Sequence, residues 1–199
     1  MKKIYLISPN KLNKNFYTFL PKVLATKKIK FLQIRCKNYS KKIIIKHIKK
    51  ILPITNKYKV KLIVNDDIQL AYKFKNVGFH LGQNDLRKHK KKIRLNKKII
   101  FGITCHNSLS LAKKAILLGS TYVAFGAFFP TKTKKVKYVA NKNILKKVKK
   151  LNTKIVAIGG IANNNYMDLL KFGADFIAIS SFVWKNKELT PLEAIKLFK

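Results

Sequence analysis

Residues 99–126 read Ile99-Ile100-Phe101-Gly102-Ile103-Thr104-Cys105-His106-Asn107-Ser108-Leu109-Ser110-Leu111-Ala112-Lys113-Lys114-Ala115-Ile116-Leu117-Leu118-Gly119-Ser120-Thr121-Tyr122-Val123-Ala124-Phe125-Gly126. β-Branched and aromatic residues crowd 99–104 and again 121–126, as strands require. Between them, Leu111, Ala112, Ala115, Ile116 and Leu118 fall on one side of a helix while Lys113 and Lys114 face away. Asn107-Ser108 can cap that helix and Gly119 can end it. A strand, a helix and a second strand in close succession make a βαβ unit, whose two strands run parallel.

The same alternation recurs on either side of this unit. Strand-like runs occupy 3–8, 30–35, 60–65, 77–81, 99–104, 121–126, 154–159 and 175–180, each followed by a lysine-rich amphipathic segment. Asn163 or Asn164 can cap the helix that ends at Gly173. Eight β-then-α units predict an α/β fold, a single compact (β/α)8 TIM barrel over 1–199. An open doubly wound sheet has fewer strands and a glycine-rich first turn, whereas the first strand here ends in Ser8-Pro9-Asn10. At 199 residues the chain is short for such a barrel, which leaves no room for a second domain.

Composition narrows the class. With 47% hydrophobic residues the chain can bury a sizeable core, which excludes disorder as its main description. Forty-five basic residues stand against seven acids, a formal charge of +38, and only Arg35, Arg87 and Arg94 are arginines. Abundant Lys, Asn and Ile follow from A/T-rich codons, and an electrostatic footprint for polyanions is the other reading. Cys36 and Cys105 lack CxxC spacing, which speaks against a disulfide framework or a structural zinc site and suits a reducing cytoplasm. The apolar run 4–7 is too short for a signal peptide, and no stretch nears the roughly 18 apolar residues of a membrane span. A cytoplasmic protein without a membrane partner is expected.

In such barrels chemistry gathers at the C-terminal ends of the strands. Asp66 and Asp67 follow the third run and Asp85 the fourth. Two carboxylates on adjacent strand ends suit Mg²⁺, which takes one or two carboxylates and completes its shell with water and phosphate oxygens. Capping of the next helix by Asp66 or Asp67 accounts for them equally well. Gln33, Arg35 and Lys37 alternate at the end of the second run and so share a face. Arg35 has the planar fork that grips phosphate, or it pairs with a neighbouring Asp. The loop Phe128-Phe129-Pro130-Thr131-Lys132-Thr133-Lys134 adds hydroxyls and ammoniums. Gly159-Gly160 and Ser180-Ser181 close the last two strands where these barrels cradle phosphate, expected across the mouth from Arg35 and Lys37.

Taken in order, Gln33-x-Arg35-x-Lys37, Asn65-Asp66, Gly78-x-His80-Leu81-Gly82-Gln83-x-Asp85, Pro130-Thr131-x-Thr133-Lys134 and Gly159-Gly160-Ile161 resemble the successive motifs of the thiamine phosphate synthase family. The resemblance implies a transferase that joins an aminopyrimidine methyl diphosphate to a thiazole phosphate, giving thiamine phosphate and pyrophosphate with Mg²⁺. By the same resemblance Gln33, Arg35, Lys37, Asn65 and Lys134 hold the pyrimidine diphosphate. Asp66 and Asp85 hold Mg²⁺, and Thr131, Thr133, Gly160, Ser180 and Ser181 hold the thiazole phosphate. Thr104 stands near the pyrimidine where the family usually has Ser, Cys36 where Glu is common, and Ala127 where Pro often precedes the loop. Arg35, Lys37, Lys134 and Thr104 would then serve catalysis.

A thiazole tautomerase, a related barrel without a pyrimidine to join, or another phosphate-binding barrel enzyme is the nearest rival, but a tautomerase has no diphosphate for Arg35, Lys37 and Lys134 to hold. A basic nucleic-acid-binding module is the rival from another class. Its lysines should cluster with aromatics on one face, whereas here they spread over nearly every predicted helix. Small phosphorylated molecules are therefore the expected partners, with no specific nucleic acid, and a homodimer is compatible with the sequence. His80 is read as a packed, hydrogen-bonded histidine within the fourth strand. His106 either touches substrate or packs at a helix start, His47 and His89 are expected to be exposed, and no basic partner marks Cys105 as a nucleophile.

Overall fold

A computed structural model describes residues 3–93, 99–131 and 138–199. Its elements run β1 (Ile4–Ile7), α1 (Lys14–Ala25), β2 (Ile29–Ile34), α2 (Lys41–Lys57), β3 (Lys61–Asn65), α3 (Ile68–Lys73), β4 (Val77–Leu81) and α4 (Gln83–His89), with a 3₁₀ turn at Lys90–Lys92. They continue with β5 (Phe101–His106), α5 (Leu109–Leu117), β6 (Tyr122–Phe125), α6 (Asn143–Lys149), β7 (Lys154–Ile158), α7 (Tyr166–Lys171), β8 (Phe176–Ile179), α8 (Ser181–Trp184) and α9 (Pro191–Lys196). The eight strands pair in sequence order, all parallel, and β8 closes on β1 through Ile4 opposite Ile177 and Leu6 opposite Ile179. The expected (β/α)8 barrel is the fold.

Two apolar layers hold it. Leu6, Leu32, Leu62, Ile103, Val123 and Ile155 are fully buried in the layer between strands and helices. Alternate residues, among them Tyr5, Phe31, Ile63, Tyr122 and Val156, fill the barrel interior. Gly102 faces that interior on β5, and a Cβ there would run into the Tyr122 ring, so its missing side chain makes the ring's seat.

Helix starts follow local chemistry. Asn13, Ser40, Asp67, Ser108 and Thr190 each accept a hydrogen bond from a backbone N–H three residues on. At α7 the cap is Asn165, one position past the expected pair. Its side chain turns back into the β7 loop, accepting from Ala162 N and donating to Gly160 O. β5 also differs from expectation, running on through Thr104, Cys105 and His106, because a bulge against β6 between Thr104 and His106 lets pairing continue.

The order of strands corrects one further expectation. β8 is separated from β2 by β1 alone, so Ser180 stands two strands from Arg35 rather than across the mouth. Ser180 Oγ donates to Ser8 O at 3.4 Å, and Ser8 Oγ in turn accepts from Arg35 N at 3.0 Å.

Candidate active site

The acids are sorted by what they touch. Asp67 caps α3 through Leu70 N at 3.0 Å and pairs with Lys41, so it has a structural task. Asp168 pairs with Lys142, Asp175 with Lys149 and Lys154, and Glu193 closes a capping box with Thr190. Asp66 and Asp85 have no ion pair among the described residues, in a chain with forty-five basic side chains. The choice between cap and open carboxylate thus resolves one residue at a time.

Local geometry brings that pair together. Asp66 takes φ +62, the left-handed region that Asp tolerates because its short side chain bonds locally. Its backbone N–H donates to His80 O at 2.9 Å, its Oδ1 accepts from Gly82 N at 3.4 Å, and its Oδ2 accepts from Asn65 Nδ2. Asp85 sits in the first turn of α4, and a Cβ on Gly82 would lie 3.3 Å from Asp85 Oδ2. Burial, and then the nearby Asp85 carboxylate, push the Asp66 carboxyl above its usual range, against the opposing pull of Gly82 N–H and Arg35. A divalent cation between the two would remove that repulsion, so the donor set fits Mg²⁺ in chemistry and in number. No group of three or more His, Cys, Asp or Glu side chains gathers among the described residues.

On the β2 side, exposure rises stepwise toward solvent. Gln33 is buried, Arg35 half-buried and Lys37 exposed. Cys36 points the other way and is buried, its thiol pushed up to about 11 chiefly by burial. Arg35 has no ion pair among the described residues, which sets aside the structural pairing with Asp. Gln33 Nε2 donates to the Tyr5 hydroxyl at 3.1 Å, inside the barrel.

His80 is the packed histidine expected. Nδ1 meets the Tyr122 hydroxyl at 3.1 Å, and Nε2 meets Thr104 Oγ1 at 2.9 Å. Burial first, and Arg35 second, lower its pKa to about 4, so the ring is neutral at pH 7. Gln83 donates to Thr104 O, tying the start of α4 to β5. Cys105 is buried with its thiol pushed up to about 12 by burial, which makes it inert. His106 takes φ +54 and packs its ring on Tyr138 at 4.2 Å, bracing the loop after β6. His47 departs from expectation: it is half-buried, because its ring stacks on Tyr17 of α1 and on Tyr39 before α2 and its Nδ1 meets the Tyr17 hydroxyl. His89 is likewise only partly exposed.

The β6–β8 side is built from backbone. Phe128 N donates to Ile158 O at 3.2 Å and Phe129 N to Gly159 O at 3.1 Å, so the loop after β6 lies along the end of β7. Ala127 exchanges backbone bonds with Tyr138 and Ala140, which needs no Pro at this position. Gly159 and Gly160 have φ of +103 and +63. A Cβ on Gly160 would meet Pro130 O and the Phe129 carbonyl carbon. The glycine pair is therefore required first by this loop packing, with ligand approach a second use. Thr131 is partly buried beside it, Ser180 is partly buried at the end of β8 and Ser181 is exposed. Thr133 and Lys134 lie outside the described residues.

Sequence reasoning missed Ser8, Tyr5, Tyr122 and Asn165. Ser8 is a buried serine next to Pro9, and the tyrosines sit at interior register of their strands, yet apolar runs disguise both. The cavity at the opposite end of the barrel is lined, among the described residues, by Lys30, Asn56, Lys59, Val60, Lys61, Asn76 and Ile100, with no acid and no hydroxyl side chain among them.

Comparison with known proteins shows the family. Residues 4–183 match the family described as thiamine monophosphate synthase. A thiamine-phosphate synthase of Pelagibacter ubique (strain HTCC1062) is 53% identical over 203 residues, covering 100% of this chain and 96% of that one. Another, of Rhodospirillum centenum, is 34% identical over 98% of this chain and 95% of its own. The solved structure of thiamine phosphate pyrophosphorylase from Pyrococcus furiosus superposes with a TM-score of 0.82 at 24% identity, covering 99% and 93% of the two chains. Orotidine 5'-phosphate decarboxylase from Pyrococcus horikoshii shares the fold with a TM-score of 0.63 at 13% identity. No helix among the described residues is long and apolar enough to cross a membrane.

Proposed function

The chain belongs to the thiamine monophosphate synthase family, and we propose that it joins 4-amino-2-methyl-5-hydroxymethylpyrimidine diphosphate to 4-methyl-5-(2-phosphooxyethyl)thiazole. The observation that supports this most is the meeting of Asp66 and Asp85 at Gly82, unpaired by any described cation and with Arg35 close enough to bias Asp66.

The bond between the pyrimidine methylene carbon and the diphosphate oxygen breaks, and its electron pair leaves with pyrophosphate. The electron-rich ring carries the positive charge left on the methylene carbon. The thiazole nitrogen then gives its lone pair to that carbon, forming the C–N bond of thiamine phosphate. No protein nucleophile is needed, in keeping with inert Cys105. The chain's work is to neutralise the leaving group and hold two rings in line. Asp66 and Asp85 would hold Mg²⁺, which supplies Lewis-acid charge neutralisation at the diphosphate. Arg35 and Lys37 grip the same oxygens from beyond the end of β2, with Asn65 and Lys134 serving the same diphosphate and Gln33 orienting the pyrimidine. Thr131, Thr133, Gly160, Ser180 and Ser181 receive the thiazole phosphate. The barrel 1–199 acts as one catalytic domain in the cytoplasm on small phosphorylated substrates, as a monomer or homodimer.

Incubating the purified protein with Mg²⁺ and both precursors should yield thiamine phosphate and pyrophosphate in equal amounts. Isomerisation of a thiazole precursor with no coupling product would overturn the synthase reading in favour of a tautomerase.

A further inference from the structure

Five side chains from five strands form one hydrogen-bonded chain through the barrel interior. Gln33 Nε2 donates to Tyr5 Oη at 3.1 Å, and Tyr5 Oη lies 2.8 Å from Tyr122 Oη. Tyr122 Oη lies 3.1 Å from His80 Nδ1, and His80 Nε2 lies 2.9 Å from Thr104 Oγ1. The tyrosines are 2% and 1% exposed, so each hydroxyl proton must find its acceptor within this chain.

That requirement fixes the direction. Tyr5 Oη accepts from Gln33, and the one acceptor open to its own proton is Tyr122 Oη. Tyr122 must then donate to His80 Nδ1. In a neutral imidazole the other nitrogen carries the hydrogen, so His80 Nε2–H donates to Thr104 Oγ1. The Thr104 proton is left to point elsewhere. Thr104 lies two residues beyond Gly102 on β5 and so on the same interior face, one step nearer the C-terminal mouth.

We propose that Tyr5 and Tyr122 are positioning residues that keep the Thr104 hydroxyl proton free for the ligand, matched to a hydrogen-bond acceptor such as a ring nitrogen of the aminopyrimidine. This rests on the synthase reading for the identity of the ligand, while the direction of the chain rests on the hydrogen bonds alone. Because His80 takes one lone pair of Thr104 Oγ1 and leaves its proton unused, a ligand acceptor at this point completes the chain.

Two measurements test it. In ¹⁵N NMR of the whole wild-type chain, His80 should show the tautomer protonated at Nε2, and the Nδ1-protonated form would overturn the proposal whatever the activity. In steady-state kinetics, Tyr122→Phe keeps the ring over Gly102 and removes the relay. Its kcat/KM for the pyrimidine diphosphate should fall roughly tenfold, the loss of one aligned hydrogen bond, with KM for the thiazole phosphate unchanged. Thr104→Ala should cost about as much, the double variant little more than either single, and Thr104→Ser should restore activity. Additive losses, or equal losses for both substrates, would overturn it. Should Tyr122→Phe fail to fold, Tyr5→Phe breaks the chain one link further back and is read the same way. If the wild type makes no thiamine phosphate, the synthase reading fails separately. Calorimetric binding of the free aminopyrimidine alcohol to wild type and Tyr122→Phe then decides the ligand end, and equal affinity would overturn it.

Discussion

The two halves of the barrel mouth are built from different materials. From β2 to β5 the candidate groups are side chains: a guanidinium, two carboxylates without ion pairs among the described residues, and a hydroxyl at the end of a buried chain. From β6 to β8 the hydroxyls of Thr131, Ser180 and Ser181 sit on a frame of backbone, with one loop laid along the end of the next strand and two glycines in left-handed conformations where they meet. A side-chain half can be disarmed one group at a time while the barrel stands. A backbone half couples ligand and fold, so its substitutions act on both.

The largest effect should come from Asp85, whose partner Asp66 is already held above its usual range by burial and by Asp85 itself. Asp85→Ala should lower kcat by more than a hundredfold, about 3 kcal/mol or more of lost charge stabilisation at the leaving group. Thermal unfolding should stay within a few degrees of wild type, and excess chelator should silence the wild-type enzyme. Near-normal turnover in either case would remove Mg²⁺ from the side-chain half.

His80 gives the same half a signature in stability. Its ordinary pKa of 6.5 falls to about 4 in the fold. Between those values the unfolded chain binds a proton that the folded chain does not, so stability is full above pH 6.5 and declines as pH falls toward 4. The loss attributable to this ring is about 2 kcal/mol at pH 5 and about 3 kcal/mol at the limit. Urea unfolding of wild type and His80→Gln at pH 7 and pH 5 should show a smaller pH dependence in the variant. Equal dependence would mean that the ring is charged in the fold.

The barrel itself was open to reading because strand and helix periods are local, and each βαβ unit between 99 and 126 and its neighbours declares itself in a few residues. The side-chain half was open for a similar reason, since Arg35, Asp66 and Asp85 are rare types in a lysine-rich chain. What escaped depends on register and closure. Tyr5 and Tyr122 touch across the interior although 117 residues apart, and Ser180 lies near Arg35 because β8 closes on β1. The role of Gly160 was half visible: a glycine was needed, but the group filling its space is Pro130 of another loop. His47 misled because its neighbours Tyr17 and Tyr39 come from other segments.

Gly160→Val therefore tests the backbone half in a way no side-chain deletion can. Its φ of +63 disfavours a β-branched residue, and its Cβ would push Pro130 and Phe129 off the end of β7. Stability should fall by about 2 kcal/mol, with a raised KM for the thiazole phosphate. A raised KM with unchanged thermal unfolding would mean that the glycine serves the ligand alone.

Arg35→Lys is the mildest of these changes and the one that separates charge from shape. The positive charge remains beside Asp66, so repulsion between Asp66 and Asp85 is opposed much as before. The planar fork is lost, and with it a paired contact to diphosphate oxygens that a single ammonium cannot reproduce. The backbone should not move, because the Arg35 N–H is held by Ser8 Oγ independently of the side chain. We expect kcat/KM for the pyrimidine diphosphate to drop roughly tenfold, about 1.4 kcal/mol, with part of the loss in kcat because charge on the leaving group grows in the transition state. KM for the thiazole phosphate should hold steady, although Ser180 stands two strands away. Varying each substrate in turn decides the matter. If Arg35→Lys and Gly160→Val both weaken the thiazole phosphate alone, the division of the mouth into two halves is wrong and both substrate assignments fall together.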